Sequence, residues 1–454
     1  MRVSGSVETS LVSDSGVRMI IEWVNHASFI LDTQSVRLMT DPWIEGNAFN
    51  NGWQLLSPSR FGYDDFRTVS HIWFSHEHPD HFAPPNLRRI PPEIRQGITV
   101  LYQRTRDKKV LELCKGLGFG SVEVLDPNAW GELAPGVKVF VSPHLDGDSW
   151  MCLRSESKTV LNINDCMVET TFDAEDIRKI VGDVDILLTQ FSYANWVGNK
   201  DDSAFRKAAA REKLDRMVMQ SRVFRPRVII PAGSYVWFCH TENSYMNEDM
   251  NRIHDVYRFL EERTRAIPVV LYPGDTWNVE HAHDSSSSLE MYSVDYGKIP
   301  TSALIESQQV DLAELVSSST EFIHRLKESN DSMILNLLLR PTRIYLTDYE
   351  RTVELSLRKG LREVGRDYGS CDVALSSESL LYCFRFRWGG DTLHVNGRFH
   401  KPKDGKWKRF RRYFSIASLN NRGERCDMAY LIRRLGPKFL RGFRLLWRNS
   451  RRGR

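Results

Sequence analysis

Residues 71–82 read His71-Ile72-Trp73-Phe74-Ser75-His76-Glu77-His78-Pro79-Asp80-His81-Phe82. The opening four form an apolar, β-favouring stretch. Behind them His76, His78, Asp80 and His81 place four metal-ligand side chains within six residues. A strand ending here delivers the cluster to the rim of a sheet and releases it into a loop. In extended chain, residues two apart point the same way, so His76 and His78 can share one ion. Asp80 and His81 follow the proline and can turn toward a second. Imidazoles with a carboxylate suit zinc, iron or manganese better than calcium or magnesium. Three of only 13 histidines fall in this pattern, which speaks against a chance group of solvated side chains.

Two ions need more ligands than one loop supplies, and three further candidates each end an apolar run. Val137 to Pro143 leads into His144, Thr159 to Asn164 leads into Asp165, and Val228 to Pro231 precedes an aromatic segment ending at His240. Any one alone reads as an ordinary polar residue; their repetition favours a metal site, with Asp165 the natural bridging carboxylate.

These residues, His-x-His-x-Asp-His followed by a spaced His, Asp and His, resemble the metallo-β-lactamase superfamily. The nearer likeness is to the β-lactamase-like domain of CMP-N-acetylneuraminate hydroxylase. It is carried by Asn25-His26-Ala27-Ser28, by Thr40 to Gly46, by Ala48 to Leu56, by Leu161 to Cys166, and by Ser234-Tyr235 spaced to His240. The likeness covers roughly residues 18 to 280. It implies that His76, His78 and His144 hold one ion and that Asp80, His81 and His240 hold the other, with Asp165 shared. Asp80 and His26 are then candidate catalytic residues; His26 and Asp41 could also orient ligands through hydrogen bonds. Asp41, Tyr193, Asn195 and Tyr235 are candidate substrate contacts. The hydroxylase also carries a Rieske iron–sulfur domain. No Cys-x-His or Cys-x-x-His pair occurs here to hold such a cluster, so electrons for any redox step are expected from another protein.

The first two-thirds of the chain alternates candidate strands and helices, which gives an α/β class. The resemblance refines this to an αβ/βα metallo-β-lactamase-like sandwich, followed by a smaller α+β carboxy-terminal domain and a basic tail. Residues 1–283 are assigned to the catalytic domain, 284–310 to a serine-containing linker, 311–400 to the small domain and 401–454 to the tail. A helix is expected over Asn247–Arg263 and a strand over Val269–Leu271. In the small domain a helix is expected at Leu312–Lys327, with strands at Arg343–Leu346, Cys371–Leu375, Leu380–Phe386 and Thr392–Val395.

At 454 residues, 41% hydrophobic and 26% charged, the composition is that of a globular protein with a large core. Seven scattered cysteines point to reduced thiols and a cytoplasmic setting. The first residues lack the apolar core of a signal peptide, and no stretch reaches the length of a membrane span. Charge is uneven. Lys401 to Tyr413 carries a net +6 and Leu431 to Arg454 a net +9, against +4 for the whole chain. The body is therefore acidic. Between Phe439 and Trp447 apolar and basic residues interleave as in an amphipathic helix. Such a tail suits an anionic membrane surface or a partner protein, and nucleic acid is not the expected partner.

Two bound dications lower the pKa of a bridging water to about 7. The expected activity is a binuclear metal-dependent hydrolase, using a metal-bridging hydroxide on an ester, lactone, amide or phosphodiester. The cofactor is two divalent ions, zinc first, with iron or manganese as alternatives. The competing reading is a di-iron oxygenase hydroxylating a sugar nucleotide or similar metabolite with an external electron donor. A set of seven ligands argues against a purely structural metal, because structural zinc sites are usually single and closed.

Overall fold

A computed structural model describes residues 18–144, 147–156 and 158–432. Two sheets, each 7-stranded, face one another. The first runs in the order Thr276–Asn278, Ile20–Asn25, Ser28–Asp32, Arg37–Thr40, His71–Phe74, Thr99–Gln103, Ser121–Leu125. The second runs Ile267–Pro268, Val228–Ala232, Ile186–Gln190, Thr159–Asn164, Ser149–Arg154, Val137–Pro143, Gly131–Ala134.

Strand His71–Phe74 shows how the sequence builds these layers. Successive side chains leave a strand on opposite faces. Trp73 joins the core between the sheets with Leu101, Met151 and Leu161, whereas Ile72 and Phe74 face outward to Leu87, Val110 and Cys114. Helices Pro84–Arg89 and Lys109–Gly116 cover that outer face. Helices Thr171–Val181, Ser203–Phe224 and Ile253–Arg263 cover the second sheet. His71–Phe74 lies parallel to both its neighbours, and Thr159–Asn164 parallel to Ile186–Gln190. Parallel strands present their carboxyl ends together, and ligand sites form there.

The carboxy-terminal region has its own core, gathered around helix Leu312–Ser329 and a 4-stranded sheet. That sheet is ordered Gly360–Gly365, Arg351–Ser356, Thr342–Leu346, Val373–Leu375. Two expected strands here are helices, Ser377–Arg385 and Gly389–Asn396. Leu380, Cys383 and Phe384 bury together at helical spacing, and the Ser376 side chain caps the first turn by accepting from Ser379 N.

Other expectations also change. The serine run at 285–288 opens helix Ser286–Lys298 rather than a linker. Tyr292 of that helix is buried and stacks on Tyr235 with ring centroids 4.5 Å apart, and Asp295 accepts from Ser57 and Tyr272. The basic stretch from Lys401 is no tail: helix Trp407–Asn421 buries Trp407, Phe410, Tyr413 and Phe414 in the carboxy-terminal core. The amphipathic segment from Phe439 lies outside the described residues. The helix expected from Asn247 starts at Ile253, and the strand expected at Val269–Leu271 is the shorter Ile267–Pro268. Among the described residues no helix is long and apolar enough to cross a membrane, and all seven cysteines are buried, with no disulfide among them.

Candidate metal centre

Histidines and carboxylates converge at one rim of the sandwich in three overlapping sets: His26, Asp80 and His81; His76, His81 and Asp165; His76, His78 and Asp148. The loop after His71–Phe74 supplies four of them. Asp165 follows strand Thr159–Asn164, Asp148 precedes Ser149–Arg154, and His26 sits in the tight turn joining Ile20–Asn25 to Ser28–Asp32.

The separations are those of ligands sharing an ion. His26 Nε2 lies 3.3 Å and His81 Nε2 3.2 Å from Asp80 Oδ2, and His81 Nε2 lies 3.5 Å from Asp165 Oδ2. His76 Nε2 is 3.7 Å from Asp148 Oδ1 and 2.8 Å from His78 Nδ1. Ligands bonded at about 2.1 Å in a tetrahedron stand about 3.4 Å apart. Both ring nitrogens of His26, Asp80 Oδ1 and His81 Nε2 are buried without a hydrogen bond. Such close approach without hydrogen-bond geometry is what a shared cation would satisfy.

Charge points the same way. Burial pushes the His76 pKa down to about 4, aided by the charge of His81, and burial with His76 lowers His78. His76 is thus a neutral base, the form in which an imidazole binds a metal. Burial works against charge on His81 as well, yet Asp80, Asp165 and Asp41 raise it well above the ordinary histidine range. Burial likewise opposes ionisation of Asp80 and Asp165, but His81 and His26 hold the Asp80 carboxyl well below the usual range, and His81 lowers that of Asp165. This excess of negative charge around His81 suits divalent ions.

Asp41 fixes two of the imidazoles. Its Oδ2 accepts from Ser75 Oγ at 2.8 Å, from Asn164 Nδ2 at 2.8 Å and from His81 Nδ1 at 2.9 Å, and its Oδ1 accepts from Ser75 N at 2.7 Å. Ser75 Oγ in turn lies 2.9 Å from His76 Nδ1. The remote nitrogens of His76 and His81 are thus tied to one buried carboxylate network, which aims their Nε2 atoms inward. His26, Asp41 and Asn164 all have positive φ, +39°, +38° and +54°, backbone states concentrated at functional sites. Gly233, φ +63°, leaves room for the Asp165 carboxylate: a Cβ there would stand 3.3 Å from Asp165 Oδ1.

Several expected site residues lie elsewhere. His144 turns its Nε2 to Met167 O at 3.2 Å, and Asp148 stands beside His76 and His78 in its place. His240 is buried beside Glu242, with Arg398 among the charges acting on it, and joins none of the three sets; His26 completes the Asp80–His81 set instead. Tyr193 and Tyr235 are packed side chains, their hydroxyls donating to Met246 O and Pro231 O. Asp41 is fully buried, its carboxylate taken up by Ser75, Asn164 and His81, and Asn195 is half-buried outside the ligand sets. Residue-type reasoning also passes over Gln190, whose Nε2 donates to Asp165 Oδ1 at 3.1 Å. Gln190 Oε1 accepts from Lys213, a half-buried lysine whose pKa desolvation lowers to about 8.

Residues 20–143 match the sequence model of the β-lactamase superfamily domain. The amino-terminal domain has the metallo-β-lactamase fold. Over 243 residues it is 21% identical to the cytidine monophosphate-N-acetylneuraminic acid hydroxylase of Danio rerio, covering 50% of this chain and 40% of that protein. Among solved structures it is similar to CmlA, a diiron β-hydroxylase from Streptomyces venezuelae, at 15% identity and a TM-score of 0.39, covering 58% of this chain and 55% of that one. It is also similar to an isothiocyanate hydrolase from Delia radicum gut bacteria, at 14% identity and a TM-score of 0.41, covering 57% of this chain and 98% of that one. The chain spans 40% to 50% of the length of the first curated relatives it matches.

Proposed function

We propose that this chain is a dinuclear metal enzyme whose ions are iron and whose reaction is the hydroxylation of a polar metabolite. The observation that carries the reading is the make-up of the two outer ligand sets. His76 with His78 and Asp148, and His26 with His81 and Asp80, are each two imidazoles and one carboxylate. That composition is one found around non-haem iron in oxygenases. The hydroxylase relative over the same segment supports it. Two iron ions bound there would supply oxygen chemistry: one oxygen atom enters a C–H bond of the substrate and the other leaves as water, with two electrons and two protons from an external donor.

The protein's own contribution is positional. Asp41 and Ser75 set which nitrogen of His76 and His81 faces the ions, and Asp165 stands between the two sets. A hydrolytic reading shares this scaffold, because two imidazoles with one carboxylate also make catalytic zinc sites, where a metal-activated water does the work; between the two, the hydroxylase relative favours iron.

The test is reconstitution of the ion-free chain with iron(II) without oxygen, then exposure to oxygen with a chemical reductant. The proposal expects about two iron per chain and oxygen uptake that depends on them. Zinc-loaded protein that hydrolyses esters or lactones, together with iron-loaded protein inert to oxygen, would move the assignment to hydrolysis.

A further inference from the structure

His76 and His81 are held by hydrogen bonds at their remote nitrogens, whereas His78 is held by packing. The Phe49 ring stands 5.7 Å from the His78 ring at 72°, and Trp53 backs Phe49 at 4.5 Å. Phe49 begins an uncommon segment: Phe49, Asn50 and Asn51 have φ +52°, +53° and +57°, three consecutive left-handed residues without a glycine. Isolated residues visit that region; a run of three persists only where its surroundings impose it.

Much of what imposes it comes from the carboxy-terminal domain. Asn396 Nδ2 donates to Phe49 O at 3.0 Å, and Arg398 Nη1 donates to Asn50 O at 2.6 Å. Cys239 Sγ approaches Asn51 O, and Asn243 Nδ2 bridges Gly52 O and Asn396 O. The Arg398 guanidinium is fully buried, with Nε donating to Glu242 Oε2 at 2.7 Å and Nη2 to Glu378 Oε2 at 2.6 Å, so it joins both domains. The two backbones meet so closely that a Cβ on Gly52 would stand 2.4 Å from Asn396 Cβ.

A second tie reaches the other flank of His78. Glu77, between the two histidines, lies 3.4 Å from Lys109 Nζ. The same ammonium donates to Asn421 O at 3.0 Å and sits over the Trp388 ring at 4.7 Å. Residues 388–421 therefore grip the His76–His78 stretch from two sides.

We infer that the carboxy-terminal domain is a positioning element for His78: Asn396 and Arg398 lock the left-handed turn, and the turn holds Phe49 against the imidazole. This rests on the reading that His78 binds an ion. Two variants of the full chain test it. Asn396→Asp keeps the oxygen that accepts from Arg398 N but sets an acceptor against Phe49 O. Phe49→Leu removes the ring and leaves the clamp. Each is titrated with cobalt(II), following heat, visible absorption and the melting temperature of the ion-free protein. The inference predicts that both variants fold, with a lowered melting temperature, bind one of two cobalt ions about tenfold more weakly and show an altered visible band. Folded variants with wild-type affinity and spectrum overturn the inference while leaving the metal reading intact. Wild-type protein that takes up no cobalt overturns the metal reading and the inference together. Should Asn396→Asp fail to fold, Phe49→Leu decides alone.

Discussion

Asp41 makes no contact with substrate in this account, yet it governs the site. It accepts four hydrogen bonds, one of them from His81 Nδ1, and through Ser75 it also aligns His76. Asp41→Asn would replace an acceptor by a donor facing His81 and free the ring to turn. Metal affinity should fall about 10- to 100-fold with the fold retained, measured by competition against a chelating dye. Unchanged affinity would remove Asp41 from the account. Gly233 makes a complementary case. Its φ of +63° disfavours any side chain, and a methyl would press within 3.3 Å of Asp165 Oδ1. Gly233→Ala should therefore weaken the ion shared through Asp165 by at least about tenfold in the same competition. Residue type and spacing reveal His76, His78, Asp80, His81 and Asp165, because so dense a cluster directly after an apolar run is what a metal-binding loop at a strand end requires. The same reasoning selects His144 and His240 over Asp148 and His26. A strand end shows that a ligand is offered, but not which way its side chain turns: His144 stands beside Asp148, donating its N–H to Asp148 O, while its ring faces Met167 O. Asp148 follows Gly147 in a loop with no apolar run to mark it.

At the scale of elements, legibility follows burial. His71–Phe74 is readable because its two faces enter two apolar layers. Ser377–Arg385 reads as a strand because Leu380 to Phe386 is largely apolar and aromatic, a run that periodicity alone does not divide between strand and buried helix. The serines at 285–288 resemble a linker in composition, whereas the aromatic face beyond them, Tyr292 and Tyr296, commits the segment to the core. Helix Thr171–Val181 allows a direct check of local stability. Thr170 Oγ1 accepts from Asp173 N at 3.3 Å while Thr170 N donates to Asp173 Oδ2 at 3.1 Å, a reciprocal cap. Thr170→Ala should cost about 1 kcal/mol in urea unfolding without changing metal content. A loss of metal would mean the helix does more than support the second sheet.

The whole molecule depends on the junction between its domains. His394 packs there on Trp196 and Trp407, and burial, with the charge of Arg411, lowers its pKa to about 4. A histidine neutral in the fold and charged once unfolded makes the unfolded chain bind more protons below its ordinary pKa of about 6.5. Its contribution is present above that pH and is lost progressively as pH falls toward 4. Urea midpoints should drop between pH 7.5 and pH 5, and the drop should shrink in His394→Gln; an equal drop in both proteins would contradict the assignment. The junction also gives the metal centre its setting, since residues 388–421 reach the loops on both flanks of His78.

The central claim is that His26 and Asp148, rather than His240 and His144, complete the two ligand sets around His76, His78, Asp80, His81 and Asp165. The most direct measurement is metal per chain, by elemental mass spectrometry, on wild type and four single variants purified from cells supplied with iron and zinc. Wild type, His144→Ala and His240→Gln are predicted to hold about two ions. His26→Ala and Asp148→Ala are predicted to hold about one. Full metal in His26→Ala and Asp148→Ala, with loss in His144→Ala and His240→Gln, would contradict the centre described above.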